Sequence, residues 1–233
     1  LKEVFITFHG GERTMAGAKR LEEYVEVFLA EARDDFSVVF TMQTNATLIT
    51  DELCDFIKRR NVLVSVSVDG SKEHNDPHRR DHRGRSSHAR TAGGIAQLRA
   101  AVGPQLTGLL AVVDINTEPL DVFDALAAYG IPAVEFLLPH HNWERPPVRP
   151  RHDAHDYGSW YLEIFKAWVA GRHGHLHIRF FTHILSQLSG RKGVYEAMTL
   201  EPVSLVTVNT AGDYEAGGCL KSTGSGAQHL GLS

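Results

Sequence analysis

Cysteine is scarce in this chain: its 233 residues carry two, Cys54 and Cys219. Two scattered thiols exclude a disulfide framework and cannot by themselves hold a metal or a cluster. An excess of one charge is also missing. With 24 basic and 28 acidic residues the formal net charge is -4, which leaves no overall electrostatic attraction for nucleic acid. No apolar run approaches the ~20 residues that span a bilayer, and Leu1-Lys2-Glu3-Val4 lacks the regions of a signal peptide. The expected setting is cytoplasmic. No Gly-x-Ser-x-Gly elbow is found, which removes the reading of His9-Gly10-Gly11 as an oxyanion-hole segment of a serine hydrolase. Internal repeats and low-complexity tracts are absent too. The chain starts without Met, within four residues of a strand-like run, and so reads as a fragment of a longer polypeptide.

What is present is enough apolar material, 42% of residues, to bury the core of one large domain. Short β-branched or aromatic runs alternate with amphipathic helical patterns, the signature of parallel βα units. Strands are predicted at Val4 to Phe8, Ser37 to Met42, Val62 to Val68, Leu106 to Val113 and Ala133 to Leu138. Met15, Ala18, Leu21, Val25, Phe28 and Leu29 recur at helical spacing and predict a helix over 15–32. Thr50 suits the cap of a helix running to Arg60, with acids in its first turn and bases in its last. Helices are also predicted over 87–101 and 119–129. Three prolines in "HHNWERPPVRPRHD", with Pro139 just before them, mark a loop. Beyond it come a helix at 155–170, a strand or helix start near "HLHIRFF", a helix over 182–189 and a strand at 203–208. The glycine- and serine-rich tail has no evident element to pack. The division is 1–140 as a partial barrel, and 141–233 as linker, helices and the start of a C-terminal extension.

In parallel sheets ligands bind beyond the carboxyl ends of the strands. Four such ends are polar here. His9-Gly10-Gly11-Glu12 offers bare backbone and one acceptor, and Gln43 and Asn45 in "QTNATLIT" offer amides. Ser67 and Asp69 in "VSVSVDG" stand two apart, which on a strand puts them on one side, suited to a diol. Arg79 and Arg80 in "HRRDHRGR" suit an anion. Each element has an ordinary alternative: paired glycines also make plain strand-to-helix turns, and basic stretches are commonly solvated loops.

In their order, these motifs resemble the radical S-adenosylmethionine (SAM) enzymes, in the branch with a SPASM-type C-terminal extension that modifies peptides. "FHGGE", "QTNATLIT" and "SVDGSKEHNDPHR" with "GRSS" carry the resemblance over residues 1–140. "LLPHHNWERPP", "YGSWYLEIF", "IRFFTHIL" and "VNTAGDYE" are similar to maturases of FxSxx-COOH-type peptide systems, which form carbon-carbon cross-links on a precursor peptide. The resemblance implies an α/β fold, a partial (β/α)6 TIM-like barrel lacking its first strand. Gly10, Gly11 and Glu12 would hold the SAM amino group, with Glu12 as acceptor. Ser67 and Asp69 would lie near the ribose, Arg79 near the carboxylate, and Gln43 and Asn45 between SAM and substrate. "LLAVVDINTEP" and "VEFLLP" would contact adenine. A precursor peptide and an electron donor such as a flavodoxin or ferredoxin are the implied partners.

Two departures stand out. Arg13 occupies a position where the family usually has Pro. The family's [4Fe-4S] cluster needs a Cys-x3-Cys-x2-Cys loop, which these residues do not contain. Cys54 falls in a helical apolar pattern, and Cys219 stands alone. Without its first strand the sheet would expose an edge, so low solubility is expected. Two rival readings remain: a non-catalytic or decayed fragment, and a barrel metallohydrolase using His9, His140, His141 or Asp69, with His173, His175 and His177 at alternate positions. Asp213 and Glu215 in "AGDYE" are candidate proton acceptors, with solvated turn acids as the alternative.

Overall fold

The computed structural model describes residues 2–33, 35–142, 146, 156–192, 198, 204–217, 220, 223 and 226–232. Six parallel strands form one sheet in strict chain order: β1 (Lys2–Phe8), β2 (Phe36–Thr44), β3 (Leu63–Ser67), β4 (Leu106–Val112), β5 (Ala133–Leu137) and β6 (His177–Ile178). The connecting helices are α1 (Gly17–Glu31), α2 (Asp51–Arg60), α3 (Lys72–Asn75), α4 (His88–Val102) and α5 (Pro119–Ala127), followed by α6 (Tyr157–Val169) and α7 (Arg179–Leu188). This is the α/β arrangement of a partial TIM-like barrel.

The β-branched runs become strands because alternate residues pack under the helices. Phe40, Met42, Val64, Val66, Leu109, Ala111, Val134 and Phe136 are all buried. Leu21 and Val25 of α1 and Phe56 and Ile57 of α2 meet them from the helical side. Thr50 caps α2 as its sequence implies, its Oγ1 accepting from Leu53 N at 3.2 Å, and left-handed Asn61 closes it. An aromatic cluster fixes α6: Trp160 and Tyr161 pack edge-on against Phe136, and Tyr161 Oη donates to Phe136 O at 2.8 Å.

β1 is an edge strand. Phe5 is 59% exposed, and Val27 on α1 is 63% exposed beside half-open Phe28 and Leu29.

Several elements differ from the sequence expectation. The helix expected over 182–189 begins at Arg179, directly after the two-residue β6, so the sheet continues beyond residue 140. Single-turn α3 was not expected; Ser71 N donates to His74 Nδ1 at 3.3 Å, a local contact with no apolar periodicity. The tail does find a partner. A hairpin of β7 (Thr207–Val208) and β8 (Tyr214–Glu215) receives it through Tyr214 N to Leu232 O, 3.0 Å, and Ala216 N to Gln228 O, 2.8 Å. Backbone pairing needs no particular side chains, which is why composition concealed it. Cys219, His155 and Val203 lie outside the described residues.

Candidate functional site

The polar strand ends converge at the carboxyl edge of the sheet. After β1, Gly10 and Gly11 take left-handed φ of 78° and 52°. Glu12 then turns back onto the frame. Its Oε1 accepts from Thr14 N (3.2 Å), Thr14 Oγ1 (2.8 Å) and Thr44 Oγ1 (2.6 Å), and its Oε2 from Asn45 N (2.8 Å). Oε1 is thereby crowded with three donors, while Oε2, holding one, keeps an acceptor site open. Glu12 thus caps the 3-10 turn Arg13–Ala16 and clasps the end of β1 to the end of β2. Among the described residues the carbonyls of Gly10 and Gly11 accept no hydrogen bond.

The β2 end is built with equal economy of space. Asn45 Oδ1 accepts from Thr47 N (2.9 Å) and Thr47 Oγ1 (2.7 Å), which leaves its amide N–H groups for other contacts. Buried Ala46 takes φ 55° and is held by Thr44 Oγ1 at 3.0 Å. Behind it α4 approaches so closely that a methyl group on Gly94 would stand 1.9 Å from Ala46 O. Thr91 Oγ1 donates to Asn45 O at 2.9 Å in the same contact. Gln43 is half-buried on β2, its position facing away from the helices, opposite Ser65 in register.

Ser67 and Asp69 do not form a side-by-side pair on a strand. β3 ends at Ser67, and Asp69, 6% exposed, folds into the loop behind it. Arg79 grips Asp69 with a fork, Nε to Oδ2 at 2.6 Å and Nη2 to Oδ1 at 2.8 Å, while Val112 N donates to the same Oδ1 at 2.9 Å. The pair therefore joins the β3 end to the end of β4. Asn75, fully buried, accepts from Asp69 N through Oδ1 at 3.4 Å. Beside it, burial pushes the Asp114 carboxyl up, but hydrogen bonds from His78 and from Asn116 outweigh this and hold it below the usual range. Arg80 is bound to the carbonyls of Asp76 (2.8 Å) and Gly84 (3.3 Å).

Two groups at this site were not singled out as ligand-facing from sequence. Glu135, 7% exposed in the middle of β5, is opposite in alternation to buried Val134 and Phe136 and so lies on the face away from the helices. Arg179 pairs with its Oε2, while its Oε1 is buried without a partner. The signal available was a single acid inside the apolar run "AVEFL". Arg13 presents a guanidinium against the Gly10–Gly11 turn, and its Nε is likewise buried and unpartnered.

The histidine reading finds no geometry. Among the described residues no group of three His, Cys, Asp or Glu side chains is placed to hold a metal ion. His173 sits in a turn bound to Asp124 at 2.8 Å, whereas His177 is on β6, so the three alternate histidines do not share a strand. Cys54 is packed in the core, where burial raises its thiol pKa. Asp213 and Glu215 are in the C-terminal hairpin; Glu215 is buried and accepts from Asn209 Nδ2 at 3.2 Å, so it is not a solvated turn acid. No helix among the described residues is long and apolar enough to cross a membrane.

No family model matches the chain. Over 213 residues it is 28% identical to a serine-type anaerobic sulfatase-maturating enzyme of Bacteroides thetaiotaomicron, a match covering 82% of this chain and 50% of the relative. The chain thus spans about half the length of that curated relative. Among solved structures, native anSMEcpe with bound AdoMet and Cp18Cys peptide superposes with a TM-score of 0.77 at 21% identity, covering 92% of this chain and 61% of that one. The coproporphyrinogen III oxidase HemN of Escherichia coli, a radical SAM enzyme, superposes at 0.51 with 12% identity over 72% of this chain and 40% of its own. These superpositions concern the fold.

Proposed function

We propose, from the premise that the chain is a radical SAM family protein of the SPASM-type peptide-modifying branch, that its rim binds SAM. The enzyme to which this SAM-binding rim belongs then matures a ribosomally made peptide by hydrogen abstraction and side-chain cross-linking. The observation that carries this reading is the pair of clasps at successive strand ends. Glu12 locks a bare Gly10–Gly11 backbone to β2, and Asp69–Arg79 locks β3 to β4. Between them lie exposed backbone and half-buried polar groups, which supports reading this rim as one that takes a small zwitterionic nucleoside.

In this reading the carbonyls of Gly10 and Gly11 accept from the SAM ammonium group, and Glu12 acts by fixing them in place. Ser67 faces the ribose, with Asp69 behind it setting the β4 backbone. Gln43 and Asn45 stand between SAM and the peptide, where their amide groups orient the target side chain. SAM reduced at an iron-sulfur cluster supplies the hydrogen-abstracting radical in enzymes of this kind. The ligand set for a [4Fe-4S] cluster is not met by these 233 residues, which hold two cysteines, one of them in the core. A flavodoxin or ferredoxin as electron donor and a precursor peptide as substrate complete the proposal. Calorimetric titration with SAM tests it: the full chain binds saturably, and Gly10→Val, which forces a branched side chain onto φ 78° and into Arg13, abolishes the binding. A wild-type chain with no saturable heat would refute the reading.

A further inference from the structure

Arg13 follows directly on the Glu12 clasp. Its guanidinium makes no hydrogen bond or ion pair with any described residue, and its Nε is closed off from water. A buried charged donor without a partner destabilises the loop that carries it unless a ligand supplies the missing acceptor. Neighbouring arginines do not share this condition: Arg79 is saturated by Asp69, and Arg85 is held by Asp81. Position adds to chemistry. Arg13 Nη2 lies 2.8 Å from where a side-chain carbon on Gly10 would stand, and 4.0 Å from the same point on Gly11. The guanidinium therefore lies over two residues that have no side chain to cover it, and whose carbonyls are without donors.

We propose that Arg13 is the carboxylate-binding residue of an α-amino-acid subsite: its fork takes the carboxylate while the Gly10 and Gly11 carbonyls take the ammonium group of the same molecule. Both groups of an α-amino acid hang from one carbon, so their receptors must stand side by side, as the turn and the guanidinium do. Glu12 Oε1 already takes three donors, so only its Oε2 is open to share the ammonium group with the glycine carbonyls, and Arg79 cannot supply the carboxylate contact without loosening Asp69. The proposal rests on the SAM reading above and moves the carboxylate contact from Arg79 to Arg13.

The test is isothermal titration of the full chain with SAM and with decarboxylated SAM, using wild type, Arg13→Ala and Arg13→Lys, with melting curves to confirm that all three fold. Loss of one charge-assisted fork predicts SAM binding weakened at least about tenfold in Arg13→Ala and by less in Arg13→Lys. Decarboxylated SAM should bind the wild type at least about tenfold more weakly than SAM and be insensitive to both substitutions. Equal SAM affinity in wild type and Arg13→Ala, or equal weakening of both ligands, overturns the role of Arg13 while leaving the SAM site standing. A wild type that binds neither ligand removes the SAM reading and this inference with it.

Discussion

Replacing Gly94 with Ala places a methyl carbon 1.9 Å from Ala46 O, 2.9 Å from its carbonyl carbon and 3.1 Å from its Cβ. Real contacts of this kind are not found under 3.0 Å, so α4 and the β2 loop must separate by about 1 Å. Neither side yields easily, because both clashing groups are backbone or Cβ, and Ala46 is tied to Thr44 and buried. Overpacking of this type costs about 1–3 kcal/mol. The separation also breaks the Thr91–Asn45 hydrogen bond, worth about 1 kcal/mol. A total near 3 kcal/mol lowers the melting temperature of a chain this size by about 6–12 °C. The adjacent residue is the control: Gly93 on the same helix has nothing within 4 Å of its missing Cβ. Gly93→Ala should therefore stabilise by about 0.5–1 kcal/mol through helix propensity. Circular-dichroism melts of the two variants and wild type decide the matter. If Gly94→Ala melts with wild type or rises alongside Gly93→Ala, the close packing of α4 on the rim is wrong.

Two shorter predictions accompany this and the binding experiments above. Asp81, held by the backbone N–H of Arg85, then by its guanidinium and by Arg83 N–H, has its pKa lowered from 3.8 to about 2. Its hold on the 81–86 loop is complete above pH 3.8 and is lost as pH falls through about 2; an NMR titration of its carboxyl midway near 3.8 would contradict that. The purified chain given SAM and a strong reductant should yield no 5′-deoxyadenosine, since its two cysteines do not make a cluster site; detection of that product by mass spectrometry sinks the claim.

Five strands and the longer helices between them were legible because each carries its signal locally: β-branched runs, the Thr50 cap, the apolar spacing of α1. The short β6 was half-legible, since two residues hold no periodicity and only their pairing with Ala133 and Val134 defines them. At the site, the identity of the strand ends could be read, but the partners could not. Glu12 reads as a free acceptor until Thr44 and Asn45, more than thirty positions away, are seen to hold it. Asp69 reads as a strand residue until the early end of β3 turns it inward to Arg79. Glu135 shows in the sequence as one acid in an apolar run and Arg13 as a departure from Pro, but no sequence pattern records that each carries a buried atom without a partner.

The strictly sequential strand order has a consequence for how the chain is made. Within the six-stranded sheet every strand after the first pairs with the one synthesised immediately before it, across a single intervening helix in most cases. The closures span 18 to 39 residues, a twofold range that changes the closure cost by only about 0.6 kcal/mol, and the sheet can lengthen at one growing margin while synthesis continues. Partly made chains at any stage present the same kind of open strand to their surroundings. The period of exposure, and with it the need for chaperones, would then scale with the pause between successive strands and not with the length of the whole protein.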